Sequence, residues 1–153
     1  MNFKIQVLAG IVFVLAVSYA AAENSLSSKA EELITEAKKV QLEAVGIGKE
    51  LRVKTFQVDK VKGMLDVLVG HVEAIERIAA ELASFETQMS SEQKTKYEAI
   101  KVKSQILTIF AKNKKDMLMG EDPSQNRAML RAKADGIAKR AEMLQQSAMV
   151  LRK

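Results

Sequence analysis

His71 is the single histidine of this 153-residue chain, and the chain has no cysteine. These two facts bound most of the chemistry its side chains could do. Covalent catalysis by a thiol is excluded, and His71 is the one imidazole available to activate another nucleophile. A zinc site draws three or four ligands from His, Cys and carboxylates at short spacings. One histidine with no grouped carboxylates around it does not supply that set. His71 falls between Met64 and Ile78 at seven-residue steps, which predicts an edge-of-core side chain with its polar tip in water. Glu31, Glu32 and Glu36 form a carboxylate cluster that reads as a solvated face near a helix N-terminus, where negative charge suits the dipole. The stretch "GIGKE" from Gly46 has the glycines and lysine of a phosphate loop but neither its preceding strand nor its spacing. No catalytic, cofactor-binding or metal-ligating residue is assigned, and the expectation is a protein that is not an enzyme and uses no cofactor.

Charge is distributed unevenly. Residues 21–93 carry 9 Lys/Arg and 13 Asp/Glu, while residues 94–153 carry 14 Lys/Arg and only 6 Asp/Glu. An acidic first half packed against a basic second half accounts for part of this. The surplus positive charge predicts some basic surface, with Lys94, Lys96, Lys101, Lys103, Lys112, Lys114 and Lys115 on one segment and Arg127, Arg131, Lys133, Lys139 and Arg140 on the next. Aromatic residues are not interleaved with them to stack on bases, so nucleic acid is not an expected partner. An anionic lipid surface or polysaccharide suits the pattern better.

The first 22 residues read as a signal peptide. Lys4 precedes a 13-residue apolar run, Ile5 to Val17, and small residues at Ser18, Ala20 and Ala22 allow cleavage before Ala21 or Glu23. The run is short of the roughly 20 apolar residues needed to span a bilayer, and no second such stretch follows. The expected product is a secreted, extracellular chain, residues 23–153, forming one domain with no transmembrane segment and no disulfide.

Hydrophobic spacing then gives the architecture. Steps of four and three from Leu26 through Ala30, Leu33 and onward to Met89 pass through 19 positions, of which only Lys54 and Glu86 are not apolar. Leu130, Ala134, Ile137, Ala141, Leu144, Ala148 and Leu151 repeat the pattern without exception. A 3.5-residue period kept this long belongs to helices packed along their length. Between the two seams, Tyr97, Ile100, Ile106, Leu107, Ile109, Phe110, Met117 and Leu118 form a broader face, suited to a helix with two neighbours. Met129, Met143 and Val150 make a second stripe beside the last seam, read as core in contact with another helix.

Capping boxes are predicted at Ser28-x-x-Glu31 and Ser90-x-x-Gln93. "GEDPSQ" predicts a helix end at Gly120 and a new start capped by Asp122, with Pro123 first in the helix and Gln125 completing the box. The fold class expected is all-α: an antiparallel bundle of about four helical segments, near 27–45, 49–89, 91–119 and 123–152, with coiled-coil-like heptad seams. The first reversal is placed at Gly46-Ile47-Gly48. The seam keeps its phase there, but the flanking positions change from charged (Glu36, Glu43, Glu50) to apolar (Met64, Ile78, Phe85), and folding back buries the first stripe. The alternative is one long helix running through the glycines, whose free half dimerises.

In bulk properties this cysteine-free helical chain, rich in Ala, Lys, Gln and Met, is similar to insect exchangeable apolipophorins, although no signature residues carry the likeness. The resemblance implies a bundle that opens onto lipid. Tight Leu/Ala/Val/Ile seams point instead to protein–protein contact or self-association. That is the function expected, with amphipathic lipid or apolar-ligand binding as the alternative.

Overall fold

A computed structural model describes the backbone of residues 3–120 and 126–153, and the side chains of residues 26–113 and 126–153. There are four helices: α1 Phe3–Glu50, α2 Val58–Glu81, α3 Ser91–Gly120 and α4 Arg127–Met149. No strand occurs among the described residues. α1 packs on α2 and α4, and α3 packs on the same two helices from the other side.

The apolar spacing explains this packing. All eight stepped positions from Leu26 to Leu51 are buried, and so are all seven from Leu130 to Leu151. α2 contributes Val61, Leu65, Leu68, Val72, Ile75 and Ile78 to the same core. Each fully buried Leu or Ile stabilises the fold by about 1.5–3 kcal/mol relative to exposure, so these rows dominate the energetics. Where α1, α2 and α4 meet, only about 10 Å³ of space remains among Ile47, Leu51, Val61, Leu65, Leu130 and Ile137.

Gly46 and Gly48 do not form the first reversal. α1 runs through both to Glu50, and neither glycine has positive φ. Their role is close approach. A Cβ on Gly46 would lie 2.9 Å from Met64 Cε on α2, and one on Gly48 would lie 3.3 Å from Asp135 Oδ1 on α4. The chain turns five residues later. The amides of Leu51, Arg52 and Val53 donate to Ile47, Lys49 and Glu50 at 2.9–3.1 Å, tightening the end of α1. Arg127, at the start of α4, donates to the carbonyls of Leu51 and Val53, and its guanidinium lies 5.3 Å from the Phe56 ring centre. One cation thus satisfies carbonyls that the helix end leaves open. The second segment accordingly begins at Val58 rather than 49. It ends as an α-helix at Glu81 and tightens into 3₁₀ turns over Leu82–Gln88.

The two capping boxes have different outcomes. Ser90 caps α3 reciprocally: its Oγ accepts from the Gln93 amide at 3.2 Å, and its own amide donates to Gln93 Oε1 at 2.9 Å. Ser28 starts nothing, because α1 is already helical from Phe3. The residues before Ser28 include no proline and no glycine after Gly10, so no break separates the two parts. The cap expected at Asp122, Pro123 and Gln125 lies outside the described residues.

Replacing both Gly46 and Gly48 by alanine favours helix by about 1 kcal/mol per site. The Met64 methyl and the exposed Asp135 carboxylate, both ends of movable side chains, must yield slightly. The expected outcome is a melting temperature raised by a few degrees at unchanged molecular mass, read by circular dichroism and light scattering. Dimerisation would mean that the chain does turn at the glycines.

Candidate functional site

Two polar constellations stand out, one between α1 and α2 and one between α3 and α4. In the first, His71 is half-buried on α2 with Nδ1 2.8 Å from Glu36 Oε2 on α1. Lys39 holds the other Glu36 oxygen at 2.6 Å. Burial alone would raise the Glu36 pKa, but the hydrogen bonds from Lys39 and His71 outweigh it and hold the carboxyl below its ordinary value. No serine or threonine among the described residues bonds His71, and no three His, Asp or Glu side chains there are grouped to hold a metal ion. The arrangement ties α1 to α2. Around it, Lys29 bridges to Glu81 at 2.6 Å and Lys60 to Glu50 at 2.6 Å.

The second constellation is the outer crease between α3 and α4. Lys103, Ile106, Gly136, Lys139, Arg140 and Met143 line an open cavity of about 340 Å³. Ser90 fixes the start of α3, and the buried Tyr97, Ile100 and Leu107 turn its apolar side inward. That rotation leaves Val102, Ile106 and Ile109 facing out, at 53%, 38% and 57% exposure. On α4 the buried row fixes the rotation in the same way, leaving Met129 and Met143 exposed, with Met143 in the wall of the crease. Of the Met129, Met143 and Val150 stripe, the two methionines are therefore surface rather than core, while Val150 is half-buried. Of the apolar face expected on α3, Ile106 and Ile109 are likewise exposed, while Met117 and Leu118 lie outside the described side chains. Gly136 sits seven residues from each methionine, and the Arg140 guanidinium fills the place where its side chain would stand, with Nη1 3.1 Å from the position of a Cβ.

Three cations rim this apolar strip. Lys103 Nζ donates to Ser147 Oγ at 2.7 Å and is 3.4 Å from the Met143 carbonyl. Arg140 lies 4.1 Å over the Phe110 ring and donates to the Gly136 carbonyl at 3.0 Å. Lys139 is exposed. None of the three meets a carboxylate among the described residues, whereas Lys101 pairs with Glu98, Lys112 with Glu73 and Arg152 with Glu31. Only the last two of these pairs join the acidic and basic halves. Much of the positive surplus therefore stays at the surface. Of the basic positions read from the sequence, Arg127 has gone to the α1 terminus, and Lys114 and Lys115 lie outside the described side chains. The clustering of Lys103, Lys139 and Arg140 about one crease needs the α3–α4 docking and was not visible as a motif.

Among the described residues, no helix is long and apolar enough to cross a membrane. A glutamate whose pKa is lowered by folding contributes stability above the ordinary carboxylate range, and that stability is lost as pH falls through the folded value. Glu36→Gln should therefore cost about 1 kcal/mol at neutral pH and flatten the stability loss below about pH 4.3. Urea midpoints of the two proteins should converge in acid. Parallel curves would mean that Glu36 is not stabilised by its partners.

Comparison with known proteins finds no matching family, no matching curated protein and no matching solved structure.

Proposed function

We propose that the chain is exported after loss of residues 1–22, and that residues 23–153 form a single secreted, non-catalytic domain acting by protein–protein contact. Once the leader is removed, the Ser28–Glu31 box falls within the first turns of α1 and can cap the new helix start. In this reading the domain is an antiparallel bundle closed by heptad seams. Supporting that arrangement, Lys29 pairs with Glu81, Glu36 with His71 and Glu50 with Lys60, so numbers fall along α2 as they rise along α1. A bundle whose seams are satisfied internally acts through its outer faces, and the α3–α4 face is the one built for contact.

The observation that carries the reading is the strip of Val102, Ile106, Ile109 and Met143, exposed and bordered by cations without carboxylate partners. Interface centres join apolar and flexible Met side chains to Arg in this way. Self-association through two copies of this face is disfavoured, because it would set like charges against each other. A second reading, binding of an amphipathic lipid or apolar ligand, is favoured by the cavity at Gly136, whose volume of about 340 Å³ falls at the lower end for small-molecule sites.

The test uses the fluid into which the protein is secreted. Wild-type protein and the doubly substituted Ile109→Glu/Lys139→Glu protein, both exposed positions, are immobilised and challenged in parallel. A protein captured by the wild type and lost from a variant with an unchanged melting curve is the expected result. Equal capture by both, or capture by neither, would contradict the reading.

A further inference from the structure

We infer that the crease between α3 and α4 receives an amphipathic helix with an acidic polar face, supplied by the partner protein. This rests on the reading of that face as a protein contact surface and adds the chemistry of the partner.

Width argues for a helix over a single acyl chain. Val102, Ile106 and Ile109 are spaced four and three apart, so they lie in one row about 10 Å long on the crest of α3. Met129 and Met143, fourteen residues apart on the same side of α4, are separated by about 21 Å along its axis. Val102 and Ile109 are both more than half exposed, and a chain seated down in the crease would leave them wet. A helix of about 10 Å diameter lying over the crease covers both the α3 row and Met143.

Charge then selects the helix. Lys103, Lys139 and Arg140 border the apolar strip, and no carboxylate of the described residues neutralises them. Lys103 and Arg140 are held in place, by Ser147 and by the Phe110 ring respectively, so their positions are set before a partner arrives. Lys139 has no bonding partner among the described residues and can turn toward an incoming carboxylate. Glutamates flanking an apolar stripe would complete all three, whereas lysines in those places would be repelled.

The test uses two end-blocked synthetic peptides of ~18 residues, about five helical turns. Both carry leucines at i, i+3, i+4 and i+7 steps. One has glutamates beside the leucines and the other has lysines. Binding to the full protein is read by fluorescence anisotropy, with dodecanoate as a competing small amphiphile. The glutamate peptide should bind at least ~10-fold more tightly than the lysine peptide, and added salt should weaken it. Lys139→Glu should weaken it by roughly fivefold or more, Ile109→Glu should weaken it comparably, and Lys38→Glu on the outer face of α1 should change nothing. Equal affinity for the two peptides, insensitivity to Lys139→Glu, or no binding of either peptide would overturn the inference. Saturable binding of dodecanoate with no binding of the glutamate peptide would assign the crease to a small ligand instead. If neither peptide binds but the doubly substituted protein still loses its captured partner, the inference falls and the contact surface stands.

Discussion

The close approach of α1 and α4 is the constraint on which the other features depend. Along both helices every second buried step is an alanine: Ala30, Ala37 and Ala44 on α1, and Ala134, Ala141 and Ala148 on α4, none more than 4% exposed. Small side chains let helix axes come near, and the larger Leu, Val and Ile between them fill the layers. Gly48 continues the same closeness at one end, with Asp135 in near contact. Polar ties run along the pair, from Arg152–Glu31 at 2.9 Å through Gln145–Gln41 at 2.9 Å to the Arg127 cap on the end of α1. With α4 drawn against α1, α3 can cover only the remaining flank of α4. The outer crease, with its bare apolar strip, is what that geometry leaves open.

The electrostatic pattern follows from the same placement. α1 and α2 hold most of the acidic residues, and three of them, Glu36, Glu50 and Glu81, are paired across their own interface with His71, Lys60 and Lys29. The positive side chains of α3 and α4 therefore find few acidic neighbours. What the composition records as a charge imbalance between the halves appears in the fold as a localised cationic border around apolar surface. The combination suits a partner that is both acidic and amphipathic better than a purely electrostatic surface.

Much of this was legible in the residue spacing. The helical class and the buried rows follow from a 3.5-residue period, and Ser90 with Gln93 marked the start of α3 by its capping chemistry. The first reversal was misplaced because glycine was given more weight than the seam. The better signal was Lys54: the only two polar breaks among the stepped positions, Lys54 and Glu86, fall in the connection after α1 and in the 3₁₀ turns after α2, where the rows no longer need to be apolar. Arg127 could not be read as the cap of a helix end more than seventy residues earlier, since that contact is purely tertiary. The crease was hidden for a related reason. Met129 and Met143 look like core on a helical wheel, and only the way the buried row of α4 docks against its neighbours decides that they are surface.

Ala141→Leu tests the α1–α4 approach most directly. Leucine forms helix nearly as well as alanine and adds apolar area, so on propensity and hydrophobicity alone the variant should be as stable or more stable. If alanine is there to let the helices close, the larger side chain must push them apart, at about 1–3 kcal/mol. Urea unfolding should then show a clearly lower midpoint with an unchanged slope. A midpoint equal to or above that of the wild type would mean that the α1–α4 interface has room to spare, and the account built on its closeness would fail.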